Sequence, residues 1–450
     1  MKSKTYEMDM CSGPLLGKIL MFALPLMMSS ILQLLFNAAD IIVVGRFVGH
    51  EALAAVGATG PLTNLLINVF IGFSVGTNVM VAQFMGAGNK KDVSEVVHTS
   101  VMFSIICGTA LIFLGNFFAE PMLRLMGTPE DVIGGAALYM RVYFSGMPII
   151  MLYNFGSAIF RAIGDTKRPL YYLTAAGIVN VILNVIFVTQ LHMGVEGVAF
   201  ATVLSQVLSA ALVVRSLMKS DGAYKLEIKK LRIHKRKLKY IVKIGLPAGM
   251  QGAVFSISNV LIQSSINLFG SVAMAGSTAA ANIEGFVYMA MNAFHQTALS
   301  FTSQNYGSRN LDRIKRIMWL CLACVVGTGL IMGVSAWAFG NTLLRIYSSD
   351  PDVIASGMIR LAGICLPYFL CGIMDVMVGC LRGVGYSFVP MLVSVGGACG
   401  LRIVWIFTVF RMYRTLPVLY ASYPVTWGIT GLCHFICFWI IFKKIKKSLS

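Results

Sequence analysis

The chain carries the same pattern twice, 221 residues apart. Gln83, Gly86 and Asn89 recur as Gln304, Gly307 and Asn310, and Arg124 recurs as Arg345. Asp131-Val132-Ile133 recurs as Asp352-Val353-Ile354, and Arg161, Gly164 and Pro169 recur as Arg382, Gly385 and Pro390. Leu24-Pro25 recurs as Leu246-Pro247 at an offset of 222. Two homologous halves therefore flank a basic stretch, and the fold of the first half must serve the second.

Each half breaks into six apolar runs, most of them at least the ~20 residues that cross a bilayer as a helix. The runs lie near 15–44, 52–83, 94–118, 132–160, 169–191 and 196–218, then 240–268, 272–303, 314–340, 353–381, 388–411 and 420–442. Hydrophobic residues make up 57% of the 450 and charged residues 12%, where a soluble domain carries about 25% charge. A transmembrane barrel would show alternating segments of ~10 residues, and these runs do not alternate. The expected fold is an all-α polytopic membrane protein. Its 12 transmembrane helices form two parallel six-helix repeats around a central cleft, because an even number of spans returns the second half to the first half's orientation. The expected division is an N-terminal lobe at 1–218, a basic linker at 219–239 and a C-terminal lobe at 240–450. No cleavable signal peptide is expected. The ten cysteines lie mostly inside apolar runs and read as packing thiols; Cys321-x-x-Cys324 has no second pair to make a metal or redox motif.

Lys and Arg fix the orientation. Lys90, Lys91, Arg161, Lys167, Arg168, the segment Lys219–Lys243, Arg309, Arg313, Lys315, Arg316, Arg382 and the tail Lys443, Lys444, Lys446 and Lys447 collect on one side. That side should be cytoplasmic, with both termini, in a cell membrane. The net charge of +18 is then a matter of topology and does not imply a nucleic-acid partner. Lys225–Lys239 is expected at the surface beside membrane lipid headgroups.

Three of the eighteen acids fall inside spans: Asp40, Glu284 and Asp375. A charge near the bilayer centre costs roughly 3 kcal/mol on insertion scales, so such residues face a cavity or a partner. Asp40 lies in the outer half of the first span. Asn180 and Asn184 share one face of the fifth span, and Thr202 lies two turns into the sixth, so all four side chains can meet at one depth. One carboxylate with amide and hydroxyl oxygens suits a proton or a small hard cation such as Na⁺. In the second half, Glu284 follows Asn282 and shares one polar stripe with Tyr288, Asn292 and His295, at spacings of 4, 4 and 3. Asp375 stands seven residues before Arg382, as Asn154 stands before Arg161. Arg141 and Arg360 each precede a proline by seven residues and are expected to snorkel to the interface. Pro25 and Pro247 interrupt the first and seventh spans and are candidate hinges.

The chain resembles the multidrug and toxic compound extrusion (MATE) family, in its bacterial Gram-positive-type branch, over roughly residues 12–445. The resemblance rests on LPLMMSSILQLLFNAADIIVVG, GHEALAAVGATGP, QFMGAGNKKD and FRAIGDTKRP in the first half. QNYGSRNLDRIKR and LRGVGYSFVP carry it in the second. It implies two six-helix lobes around a V-shaped cleft. It also implies antiport, in which a Na⁺ or H⁺ gradient drives export of small organic cations and other amphipathic drugs. The family's first-lobe cation site maps onto Asp40, Asn180, Asn184 and Thr202. The fullest form of that site has an aspartate where this chain has Asn184. One branch has a glutamate where this chain has Phe255. Glu284 and Asp375, with Asn282, Tyr288, Asn292 and Asn154, are then the polar groups left for substrate.

The function expected is a monomeric secondary-active exporter working by alternating access, with no cofactor beyond its coupling ion. A lipid-linked oligosaccharide flippase shares the architecture but would want a basic cavity for pyrophosphate. An integral membrane enzyme would want clustered His and Asp, and the six histidines are scattered. A receptor leaves the duplication and the buried acids unexplained. The lack of a GxxxxGK[ST] loop argues against a primary ATP-driven pump.

Overall fold

The computed structural model describes residues 6–449. The first half folds as α1 (Leu15–Val43), α2 (His50–Gly86), α3 (Lys90–Leu125), α4 (Glu130–Ser145), α5 (Met147–Ala162), α6 (Lys167–Val185) and α7 (Val195–Met218). The second folds as α8 (Lys235–Asn267), α9 (Ser271–Gly307), α10 (Leu311–Ala338), α11 (Gly340–Arg345), α12 (Pro351–Ile364), α13 (Phe369–Gly383), α14 (Phe388–Ser394), α15 (Arg402–Phe407), α16 (Val409–Met412) and α17 (Leu416–Leu449). Wider π-helical turns extend α1 (Val44–Val48) and α6 (Ile186–Gln190) and join α14 to α15 (Val395–Leu401).

Among the described residues, nine helices are long and apolar enough to cross a membrane, and two bent pairs raise the number to eleven. The bent pairs replace two spans read as continuous. α4 meets α5 at 51° and α12 meets α13 at 46°; Pro148 is the second residue of α5, and Pro367 lies in the break before α13. Proline has no N–H to continue the helical ladder, so a span bends there. The twelfth span is α9, 37 residues long but outside that apolar set. Its buried face is rich in Ala, Ser and Thr, among larger side chains such as Phe294 and Phe301, and packs on α10, α12 and α13. A helix enclosed by protein needs small side chains for close approach more than it needs lipid-like ones.

The repeated asparagines start the third helix of each half. Asn89 accepts from the Asp92 N–H at 3.2 Å and Asn310 from the Arg313 N–H at 3.3 Å, capping α3 and α10. The residue just before each cap is left-handed, Gly88 at φ 70° and Arg309 at φ 57°. A side chain in that region costs about 1–2 kcal/mol, which glycine avoids. Arg309→Gly is therefore expected to stabilise the protein by about 0.5–1 kcal/mol after glycine's greater freedom in the unfolded chain is subtracted. A thermal melt in detergent checks this; an unchanged or lower melting temperature contradicts it.

Two compact units form, and they do not divide at the basic linker. The first holds described residues 6–9 and 28–253, and the second holds 10–27 and 254–449. The sequence placed the lobe boundary at 240, whereas the contacts place it within α8. The first part of α8 belongs to the first unit because four glycines let it lie against α2. A methyl group on Gly72 would stand 2.3 Å from the Gly249 nitrogen, and one on Gly76 would stand 2.2 Å from the Ile241 carbonyl oxygen. From the α8 side, Gly245 would meet the Phe73 Cα at 2.5 Å and Gly249 the Val69 oxygen at 2.3 Å.

The linker is docked on α3. The Glu227 N–H donates to His98 Nε2 at 3.0 Å and the His234 N–H to Thr99 Oγ1 at 3.1 Å. Its bond to Lys230 holds the Glu227 carboxyl below its ordinary range. α8 begins at Lys235, and Lys237 pairs with Asp92 and lies 4.3 Å over the Phe84 ring.

The core of the first unit gathers α2, α3, α4 and α5 around Met140, Phe144, Met147 and Met151. A chain of edge-on rings, Phe70, Phe73, Phe103 and Phe155, runs through it with centroids 6.1, 5.1 and 6.1 Å apart. In the second unit Phe22 of α1 meets Phe301 of α9 edge-on at 5.5 Å. The approach to α1 is fixed there by Arg313, which donates to the carbonyls of Met10, Ser12 and Gly13 at 3.1, 2.6 and 3.0 Å.

Candidate functional site

The first unit brings Asp40, Asn180, Asn184 and Thr202 into one hydrogen-bonded line. Asn184 Nδ2 donates to Asp40 Oδ1 and, at 3.3 Å, to Asn180 Oδ1. Asn180 Nδ2 donates to Thr202 Oγ1 at 3.4 Å, and Thr202 donates to the Val198 carbonyl at 3.0 Å. The two asparagines are buried, while Asp40 and Thr202 keep partial exposure. The i, i+4 spacing on α6 makes this line possible, because both amides leave the helix on one face. Asn184 Oδ1 is buried and accepts no hydrogen bond among the described residues. α1 widens into its π turn four residues after Asp40, and α6 two residues after Asn184. Such turns are frequent at functional sites, since they release backbone groups and re-aim side chains. Val43, Val44, Val188 and Val198 form a small apolar cluster next to the line, and stacked Tyr139 and Tyr143 of α4 stand near the carboxylate.

The second unit divides its two acids. Glu284 is buried and doubly bonded to Arg360: Nε to Oε1 at 2.7 Å and Nη2 to Oε2 at 2.8 Å. Arg360 Nη1 donates to Ser277 at 2.7 Å, and its guanidinium faces the Tyr420 ring at 5.6 Å. The expected snorkelling of Arg360 is therefore wrong. It lies 8% exposed inside the unit, where a planar fork matches both carboxylate oxygens. Arg141 is half-exposed and pairs with Glu120 at 3.5 Å.

Asp375 is partly exposed on α13. Its backbone carbonyl accepts from His295 Nδ1 at 2.6 Å. Tyr288 is close to the Asp375 carboxylate and stacks on Tyr368 at 6.4 Å. Tyr368 stacks on Trp427 at 5.2 Å, and Trp427 meets Tyr423 edge-on at 5.3 Å. Arg402 closes this ladder, buried 4.1 Å over the Tyr423 ring. Asn292 is partly buried on the face of Tyr288, and Asn282 is exposed. Asn154, in the first unit, donates back to the Ile150 carbonyl at 2.8 Å. Pro25 and Pro247 lie inside helices, two residues before α1 changes units and six before α8 does.

Sequence reasoning missed the Glu284–Arg360 pair, Arg402 and the aromatic ladder. The pair was findable, since a buried acid and a buried base in one apolar half pair with each other more cheaply than either stands alone. The ladder draws on α9, α17 and the turn before α13, and no spacing within one helix reveals it.

Duplicated six-span halves, a buried carboxylate network in one and a paired acid in the other define a membrane transporter. Two curated relatives are similar across most of their length. The probable multidrug resistance protein YoeA of Bacillus subtilis is 27% identical over 94% of this chain and 93% of that protein. The probable multidrug resistance protein YpnP of the same organism is 29% identical over 84% of each. A crystal structure of MATE in complex with MaL6 superposes with a TM-score of 0.92 at 22% identity, covering 99% of this chain and all of that one. The MatE family profile matches residues 25–186 and again 247–408, so the chain belongs to the MatE family, whose members are transporters and not enzymes.

Proposed function

We propose that the protein is a secondary-active multidrug exporter of a bacterial plasma membrane. Both termini are cytoplasmic, and protons enter in exchange for amphipathic, often cationic organic compounds. The relatives named as multidrug resistance proteins support the substrate class. The line Asp40–Asn184–Asn180–Thr202 carries the coupling. With Asp40 ionised, the Asn184 amide donates to it. A proton arriving on Asp40 turns the carboxylate into a donor, and Asn184 Oδ1, which has no donor of its own, can accept it after the amide rotates. One carboxylate with neutral oxygens is enough for a proton. Sodium would need both amide oxygens turned to the ion, away from the arrangement present.

On the substrate side, Asp375 beside Tyr288, Tyr368 and Trp427 offers a carboxylate, with the Arg382 charge acting on it, and stacked faces for a flat organic cation. Glu284 is neutralised by Arg360 and holds the unit together. The transported compound displaces nothing covalent; alternating access of a single chain moves it.

Reconstituted vesicles with a fluorescent organic cation test this reading. An imposed proton gradient should drive transport, and Asp40→Asn should lower the gradient-driven rate at least tenfold at equal incorporation. Full transport by Asp40→Asn, or a response to a Na⁺ gradient alone, defeats the proton reading.

A further inference from the structure

We propose that the first unit holds a binding site for a phosphodiester headgroup whose far end carries hydrogen-bond donors, in the pocket between the start of α6 and the end of α7. The pocket encloses about 590 Å³, within the range of small-molecule sites. Arg168 lines it and is held before any ligand arrives. Arg168 pairs with Asp165 and donates Nη1 to Ser216 at 3.0 Å, and its guanidinium lies over the Phe160 and Tyr6 rings at 5.0 and 5.6 Å. Asp165 is fully buried and accepts from the backbone N–H groups of Lys167 and Arg168 at 3.1 and 3.0 Å.

Arg215 and Lys219, one turn apart at the end of α7, supply exposed positive charge on the wall. A phosphate placed against them gains charge-assisted hydrogen bonds. Glu7 and Asp221 line the same pocket, and their carboxylates suit ammonium or hydroxyl donors beyond the phosphate. Burial, then the Glu7 carboxylate, push the Tyr224 hydroxyl up to about 12, so it remains a donor, and it is bonded to Glu7.

The second half lacks this chemistry at the matching turn. At the 221-residue offset, Asp165, Lys167 and Arg168 become Tyr386, Phe388 and Val389, while the flanking glycine and proline are kept. The turn therefore folds without those charges. The source favoured by the surroundings is a membrane lipid. Tyr171, Ile178 and Ile182 on α6 and Leu204 and Val207 on α7 are exposed at 40–53%, an apolar surface that continues away from the pocket as acyl chains would.

The full chain in detergent, titrated with lipid and followed by native mass spectrometry, tests the site. Phosphatidylglycerol and phosphatidylethanolamine should bind at least tenfold more tightly than phosphatidylcholine, whose methylated ammonium donates no hydrogen bond. Arg215→Gln with Lys219→Gln should abolish that preference while leaving the lipid-free melting temperature unchanged, and Arg215→Lys with Lys219→Arg should keep it. Glycerol 3-phosphate separates the sources. Lipid binding that resists millimolar glycerol 3-phosphate assigns the site to a headgroup. Displacement by it, lost in the glutamine variant, assigns the same site to a soluble phosphate. Equal binding of all three lipids, or a glutamine variant that binds like the wild type, overturns the proposal.

Discussion

Arg360→Met is expected to cost the second unit about 3–5 kcal/mol, because it leaves Glu284 buried without a counter-charge. The pair is bidentate, Ser277 satisfies a third guanidinium N–H, and the Tyr420 ring covers the fork. Desolvating two ions is expensive, and only this geometry repays it. Removing one partner forfeits the repayment and keeps the cost. Glu284→Gln should be similarly damaging, whereas Glu284→Met with Arg360→Met should recover most of the stability, since apolar groups of like volume replace a buried pair at little cost. Thermal melts and the monodisperse fraction after solubilisation measure all three. The double variant also separates structure from transport. If Glu284 serves packing, the double variant pumps; if it serves substrate, the double variant folds and does not pump. A single variant losing under ~1 kcal/mol would place the pair in a solvated setting and return Glu284 to the substrate site.

Gly76→Ala and Gly249→Ala should each destabilise the first unit by about 3 kcal/mol, at the upper end for overpacking. The obstacle in both cases is backbone, the carbonyl oxygens of Ile241 at 2.2 Å and Val69 at 2.3 Å, which cannot rotate aside. The helices must separate, and the neighbouring Gly72 and Gly245 contacts open with them. Gly57→Ala and Gly60→Ala on the same α2 meet nothing within 4 Å. They should be neutral or stabilising by up to about 1 kcal/mol through helix propensity. Equal melting temperatures across the four variants would show that α2 and the start of α8 do not lie in contact.

Much of this was legible beforehand. Most of the twelve spans follow from apolar length, and the Asp40 line follows from matching depths along α1, α6 and α7, a calculation that needs only helix rise and span direction. α9 was read as a span at 272–303 from its run length, although its hydropathy is modest because its buried face is rich in Ala, Ser and Thr. Arg360 was misread because its distance from Pro367 along the chain suggested an interface, while the bend between α12 and α13 keeps it inside. The docking of the linker could not be read, since it depends on His98 and Thr99 presenting side-chain acceptors from the third turn of α3. The glycines at 72, 76, 245 and 249 stand in plain small-xxx-small spacing. Pattern alone names them as a contact surface without naming the partner.

The exchange of helix ends between the two units has a consequence for biosynthesis. Phe22 leaves the ribosome 279 residues ahead of Phe301, the ring it packs on, so the start of α1 enters the bilayer with its final neighbours still unmade. The first unit cannot close until Ala253 has been translated, well past the first six spans. A gene cut at the linker would then yield two products, neither encoding a whole unit, and each would lack the piece its sibling holds. The link between the halves thus keeps each unit's early and late pieces on one chain.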